Sequence, residues 1–244
     1  MTDRQPAVEL KTVTKRYRRG LRDVVALQRL SLSVARGEFL SIMGPSGSGK
    51  STLLNLIAGL DIPTEGEVIV EGLSVAAMND DQLTDMRRTR VGLIFQFFNL
   101  LPKVSALANV ALPLRAAGVS RRIMLQRARA ALDLVGLGDR ADHRPAELSG
   151  GEMQRVAVAR TLVIEPVIIL ADEPTGNLDS FAGEDILRLI RQCNRDRGVS
   201  VVLVTHSAIA AAYGDRMITL QDGTIVNDMI TRPAKEPPQL RPVS

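Results

Sequence analysis

The chain has a single cysteine, Cys193, among 244 residues, no tryptophan, and only 3% aromatic residues. One cysteine excludes an intrachain disulfide and is compatible with a reducing compartment. Scarce aromatics argue against a protein that reads single-stranded nucleic acid by stacking its bases. The opening residues, Met1-Thr2-Asp3-Arg4-Gln5-Pro6, lack the apolar core of a signal peptide. No apolar run is long enough to cross a bilayer, and the most apolar stretch, 161–171, is interrupted by Glu165-Pro166. A soluble, cytoplasmic protein is expected, and any role at a membrane requires a partner.

What is present is ordinary for a globular protein: 45% hydrophobic and 24% charged residues. The length suits one large domain or two small ones, with ample material for a core. Lys and Arg exceed Asp and Glu by 31 to 27, a net charge of +4. That balance suits a phosphate ligand or an anionic membrane surface, although a solvated basic face explains it equally well.

The hydrophobic pattern predicts a strand over 8–13, a strand pair over 24–34, and short strands over 38–43 and 67–70. A helix is expected over 51–60. Two more are expected over 104–117 and 121–135, the latter capped by Ser120 and stopped by Gly136. Further on, helices over 151–164 and 184–194 alternate with buried strands over 167–171 and 201–204. A closing hairpin turns at Asp222-Gly223. Short apolar strands alternating with helices indicate a parallel α/β core. The pattern divides the chain into a lead over 1–7, a domain over 8–230 with a helical subdomain at about 97–160, and a proline-rich tail over 231–244 expected to be disordered.

Gly44-Pro45-Ser46-Gly47-Ser48-Gly49-Lys50-Ser51 matches the phosphate-binding loop pattern, placed between a predicted strand and a predicted helix. Its glycines let the backbone fold into a nest of N–H groups that face phosphate oxygens, and the following helix adds its positive end. Lys50 is expected to reach the β- and γ-phosphates of a nucleotide, and Ser51 to place its hydroxyl on Mg²⁺. A Gly/Ser-rich turn is the plain alternative, but chance gives this pattern in only about one chain per hundred. The metal also needs a carboxylate. The apolar run 167–171 ends in Asp172-Glu173, so Asp172 is expected to hold Mg²⁺ through water and Glu173 to act on the attacking water.

A phosphate loop alone cannot name a function. The discriminating segment is Leu148-Ser149-Gly150-Gly151-Glu152, followed by Met153-Gln154-Arg155-Val156-Ala157-Val158-Ala159-Arg160. Here the sequence resembles the ABC ATPase family, whose signature is LSGGQ or LSGGE followed by QRVAIAR. The resemblance runs from about residue 8 to 226. It implies an ABC-type nucleotide-binding domain: a RecA-like P-loop core, an antiparallel β subdomain and a helical subdomain. Tyr17 stands where the family has an aromatic on adenine, and Thr52 extends the phosphate loop. Gln96 matches the Q-loop glutamine that contacts Mg²⁺ or water. Asn177-Leu178-Asp179 matches the D-loop, and His206 the switch histidine at the γ-phosphate. Read alone, Tyr17 would be a surface strand residue and His206 a structural one; His143 matches no catalytic position. Ser207 departs from the family, which usually has Asp there, and Met153 stands where a polar residue is common. Within the family, 44–49, 95–101 and 172–179 resemble the subgroup serving macrolide export and lipoprotein release.

The resemblance further implies an ATPase working as a head-to-tail dimer, with ATP and Mg²⁺ between the phosphate loop of one copy and Ser149, Gly150 and Gly151 of the other. A separate transmembrane permease is the expected partner, placing the chain on the inner face of the membrane; no nucleic acid is expected. The rivals are soluble ABC ATPases of DNA maintenance, which carry a long coiled coil between loop and signature, and translation factors with tandem ATPase domains. Only residues 52–147 separate Ser51 from Leu148 here, and there is one set of motifs. Lys50, Asp172, Glu173 and His206 together argue against a merely regulatory ATP-binding module.

Overall fold

The computed structural model describes residues 5–20 and 22–231. The first four residues and the expected tail after Thr231 lie outside that range. In chain order the strands are β1 (Val8–Arg19), β2 (Arg22–Val34), β3 (Phe39–Met43), β4 (Glu65–Val70), β5 (Leu73–Ser74), β6 (Val91–Phe95), β7 (Ile168–Asp172), β8 (Ser200–Val204), β9 (Arg216–Gln221) and β10 (Thr224–Ile230). The helices are α1 (Lys50–Ile57), α2 (Asp80–Thr89), α3 (Ala106–Ala116), α4 (Arg121–Leu134), α5 (Gly150–Leu162), α6 (Ser180–Arg197) and α7 (Ala208–Ala211).

The strands form two sheets. One is antiparallel with order β2-β1-β4-β5; the other is mixed with order β10-β9-β3-β8-β7-β6. In the second sheet β3, β6, β7, β8 and β9 run parallel, and β10 closes the edge antiparallel to β9. Apolar runs such as Ile168-Ile169-Leu170-Ala171 are covered on both faces, which is what a central parallel strand requires. Helix α1 buries Leu53, Leu54, Leu56 and Ile57 in a core shared with Leu10, Val68 and Val70 of the antiparallel sheet, so the two sheets enclose it. A second core joins α3, α4, α5 and α6 to the far face of the parallel strands through Val110, Leu132, Val156 and Ile190.

Several elements differ from the sequence pattern. The segment read as a strand pair over 24–34 is one strand, β2, paired along its length with β1. Register shifts in that ladder, and Arg29 at φ 47°, explain the broken alternation: they are bulges, not a turn. Ser120 precedes α4, but its side chain makes no capping bond. Helix α2 is absent from the sequence reading, although Asn79 and Gln82 form a reciprocal capping box at its start. The sequence pattern does not predict strands β5 and β6 or the single-turn α7 either.

The parallel sheet fixes where chemistry can occur. Ile42 of β3 lies opposite Val204 of β8, and Val204 lies opposite Asp172 of β7. The carboxyl ends of three adjacent strands therefore coincide, and the segments leaving them begin at Gly44, Glu173 and Thr205. Open α/β sheets bind ligands beyond these strand ends.

Candidate functional site

Residues 44–49 turn from β3 into α1. Gly44, at φ 154°, brings its backbone against Leu220; a Cβ there would sit 2.1 Å from the Leu220 carbonyl oxygen. Gly49, at φ 102°, packs on β2 so closely that a Cβ would lie 2.4 Å from the Ala26 oxygen. Backbone approach, as well as backbone conformation, demands glycine at both ends of the loop. Gly49 is the N-cap of α1, and no side chain caps that helix and no acidic residue stands in its first turn. Its amino end keeps its free N–H groups and its partial positive charge for an anion. The Lys50 ammonium donates to the carbonyl oxygens of Gly44 and Pro45, each at 2.8 Å, which holds the cation over the loop.

A cavity of about 580 Å³ opens on this loop. It is lined by Ser46, Gly47, Gly49, Lys50, Ser51 and Thr52 on one side, by Asp172, Glu173 and His206 on another, and by Val24, Val25 and Ala26 of β2. Burial pushes the Asp172 carboxyl above its usual range; the Ser51 hydroxyl pulls it back, and the neighbouring Glu173 raises it further. A carboxylate, a hydroxyl and an ammonium thus share one partly desolvated pocket. Glu173 stands at φ 49°, a left-handed conformation rare for a residue with a side chain. Its N–H donates to the Val204 carbonyl at 2.9 Å, and its Oε1 lies 2.9 Å from His206 Nδ1. His206 is largely exposed, with 73% of its side chain accessible against 17% for Glu173.

Other predicted residues lie around this cavity rather than in it. Gln96 follows β6 and is held by Asn177, whose Nδ2 donates to the Gln96 carbonyl at 3.0 Å and whose Oδ1 accepts from Gln96 Nε2 at 3.3 Å. Gly176 allows this contact, since a Cβ there would sit 2.8 Å from Gln96 Nε2. Asp179 caps α6 through the Ala182 N–H at 2.9 Å and, with Glu173 and His206, lines an adjoining cleft of about 220 Å³. Tyr17 is half-buried beside the cavity and does not line it. Its hydroxyl donates to Asp61 Oδ2 at 2.8 Å, and its ring lies 5.0 Å from the Lys15 ammonium. Ser149, Gly150, Gly151 and Glu152 contribute no wall to the cavity. They open α5, where Ser149 Oγ accepts from the Glu152 N–H at 3.2 Å and Glu152 Oε2 from the Ser149 N–H at 2.7 Å. Hydrogen bonding to Ser149 holds the Glu152 carboxyl below its usual range.

Some contributors escaped the sequence reading. Val24, Val25 and Ala26 give the cavity its apolar wall, and Val24 and Val25 are about half exposed. Arg160 donates to the carbonyls of Asn99 and Phe98 at 2.6 and 3.0 Å, pinning the loop after Gln96 to α5. Buried Asn109 clamps the same loop further on, accepting from the Leu101 N–H at 2.7 Å and donating to Leu101, Val104 and Ser105. An arginine in a helix pattern and an asparagine mid-helix carry no such signal by themselves.

Comparison with known proteins bears on the same segments. The family model described as ABC transporter matches residues 27–176. An ABC transporter ATP-binding protein of Methanocaldococcus jannaschii is 48% identical over 225 residues, which cover 89% of this chain and 94% of that protein. A macrolide export ATP-binding/permease protein of Rhodopirellula baltica is 44% identical over 227 residues, 92% of this chain. The chain spans only about a third of that longer relative, 33%. Among solved structures, the dimeric post-hydrolysis state of the Methanocaldococcus cassette, bound to ADP and Pi, superposes with a TM-score of 0.85. Its identity is 46%, and the match covers 92% of this chain and 99% of that one.

Proposed function

The chain belongs to the ABC transporter family of ATP-binding proteins, and from that membership we propose that it hydrolyses ATP to drive a separate membrane-spanning permease. The observation that carries this reading is the convergence of Lys50, Ser51, Asp172, Glu173 and His206 on one cavity at the carboxyl edge of the parallel sheet. The backbone N–H groups of 44–49 and the amino end of α1 cradle the phosphates. Lys50 reaches the β- and γ-phosphates, and Thr52 extends the cradle. Glu173 takes the proton of the attacking water, and His206 faces the γ-phosphate while hydrogen-bonded to Glu173. The adenine rests beside Val24, Val25 and Tyr17.

The donor set suits Mg²⁺. Ser51 offers a hydroxyl and Asp172 a carboxylate, hard oxygen ligands of the kind this cation takes together with substrate phosphates and water. Among the described residues no cluster of three or more His, Cys, Asp or Glu forms an all-protein metal cage. Ser51, Asp172 and Gln96 would hold the ion, which when bound neutralises charge on the phosphates.

A second copy completes the site. The Methanocaldococcus cassette bound to ADP and Pi is dimeric. In the same arrangement Ser149, Gly150, Gly151 and Glu152 of one copy, with Asp179, meet the nucleotide on the phosphate loop of the other. ATP then joins the copies, and hydrolysis releases them. The macrolide export relatives combine ATP-binding and permease parts in one chain. The permease proposed for this chain is of the export or force-transmitting type, and the chain sits on the inner membrane face through it. Among the described residues no helix is long and apolar enough to cross a membrane.

The test mixes two inactive variants. Lys50→Ala and Ser149→Arg homodimers each damage both sites and lose turnover. Random mixing makes about half the dimers mixed, each with one intact site, so activity returns to roughly a quarter of wild type. No recovery at any ratio, together with a Glu173→Gln protein that stays monomeric with ATP, overturns the shared site.

A further inference from the structure

Gln154 lies one turn into α5 and is wholly buried, at 0% exposure. Its Nε2 donates to two carbonyls: Phe95 at 3.1 Å and Pro174 at 2.7 Å. Phe95 is the last residue of β6, immediately before Gln96; Pro174 immediately follows Glu173. One amide group thus holds the chain at the base of Glu173, which takes the proton of the attacking water in the proposed reaction, and of Gln96, which would hold the metal ion. Its Oε1 is buried with no partner. A buried, half-satisfied glutamine costs stability, and an apolar residue of the same volume would pack there without that cost. The group earns its place through the two carbonyls it ties.

The rest of α5 is fastened to β6 and the loop after Gln96. Thr161 donates to the Leu93 carbonyl at 2.9 Å, and Arg160 holds Phe98 and Asn99. Gln154 adds a bond from this helix to the Glu173-Pro174 turn. The amino end of α5, Ser149 to Gly151, is the part that meets the partner copy's nucleotide in the reading above, on which this inference rests. A helix moves as a rigid rod over one turn, so a load on Ser149 reaches Gln154 directly.

We propose that Gln154 is a positioning residue: it sets Gln96 and Glu173 of its own chain from the helix whose tip serves the other copy's site. Gln154 thereby fixes the segments that carry Gln96 and Glu173 to α5 of the same chain.

The experiment places Gln154→Met, which keeps volume and removes the donor, in dimers with one live site. That site takes its phosphate loop and Glu173 from a Ser149→Arg chain and its signature from a Lys50→Ala chain. With Gln154→Met on the Ser149→Arg chain, turnover falls about tenfold while the KM for ATP stays within about twofold. With Gln154→Met on the Lys50→Ala chain, turnover is unchanged. A substitution that merely damaged the signature helix would do the reverse, and equal loss in both placements or none in either overturns the proposal. Thr161→Val, which loosens the same helix away from Pro174, gives no such asymmetry. Gln154→Leu, also apolar and of similar volume, repeats the measurement should the methionine variant fail to fold. If the parent mixture shows no recovery and the Glu173→Gln protein stays monomeric with ATP, the shared site itself is wrong. The homodimer then decides the positioning role: kcat must fall with KM preserved, and a parallel rise in KM overturns it.

Discussion

His206 Nδ1 lies 2.9 Å from Glu173 Oε1, and the main chain ties the same two segments through the Glu173 N–H on the Val204 carbonyl, also at 2.9 Å. Glu173 is thus held at its backbone and at its carboxylate while it occupies the left-handed region, at φ 49°. Such a conformation costs a side-chain-bearing residue about 1 kcal/mol and persists where surrounding bonds over-determine it. The arrangement keeps one carboxylate oxygen engaged with the imidazole.

Glu173→Gln keeps the shape of this group and removes its basicity. Turnover is expected to fall by about a hundredfold or more, with ATP binding retained. The stalled protein should run as an ATP-dependent dimer on size-exclusion chromatography. Wild-type turnover in the variant would mean that another group takes the proton.

The phosphate loop offers a stability contrast between two glycines. Gly49→Ala places a Cβ 2.4 Å from the Ala26 oxygen and 2.8 Å from Leu27 Cδ2, so β2 or α1 must shift. Gly47→Ala, at φ 80°, meets nothing within 4 Å. Gly47→Ala should cost about 1 kcal/mol, the conformational penalty alone. Gly49→Ala should cost about 2–4 kcal/mol through added steric strain. Chemical denaturation of both variants checks the order; equal losses would refute the close packing of the loop on β2.

The order of legibility follows from which physical demands restrict residue type. Phosphate chemistry restricts it severely, so residues 44–52 and the pair Asp172-Glu173 stand out in the sequence. Walls of a cavity do not: any aliphatic residue serves where Val24, Val25 and Ala26 lie. Strand β6, Val91-Gly92-Leu93-Ile94-Phe95, is a short apolar run without alternation, a pattern shared by buried strands and helix fragments. Helix α2 has one buried residue, Met86, in ten, so no apolar stripe marked it. The bulges in β1 and β2 depend on the partner strand, and no single segment encodes them. Likewise nothing in the local sequence places Gln154 on the carbonyls of two segments distant in the chain.

A pH-dependent element lies at the start of β3. Arg191 of α6 grips both carboxylate oxygens of Asp215, and the Phe39 N–H donates to Asp215 Oδ2 at 3.0 Å. Burial pushes the Asp215 carboxyl up, but the hydrogen bonds from Arg191 and Phe39 and the arginine charge outweigh it and leave it below its usual range. A carboxyl lowered in the folded state contributes stability above its unfolded value, about 4, and loses it as pH falls through the folded value. Denaturant midpoints measured from pH 6 to pH 2 should therefore fall in the acid range. Asp215→Asn should lower the midpoint at pH 6 and flatten the acid slope; an unchanged slope would assign the acid loss to other carboxylates.

The last prediction concerns Tyr17, whose ring adjoins the cavity without lining it. Tyr17 lies opposite Val24 in the β1–β2 ladder, and Val24 and Val25 do line the cavity. The phenol is held outward by Asp61 at 2.8 Å, and Asp61 in turn bonds the Lys15 ammonium at 2.5 Å. If the ring supports adenine, its contribution is a flat apolar face, present equally in the ground and transition states. Tyr17→Ala should then raise the KM for ATP about tenfold while kcat changes little, because uniform binding is lost. Tyr17→Phe keeps the face and gives up only the bond to Asp61, which retains Lys15; its KM should match wild type. GTP turnover supplies the control, since stacking tolerates either purine and both should weaken alike in Tyr17→Ala. A KM untouched in Tyr17→Ala would leave the base resting on Val24 and Val25 alone. A rise of equal size in Tyr17→Phe would show that the hydroxyl, through Asp61, sets the position of β1 and that the ring face is not the contact.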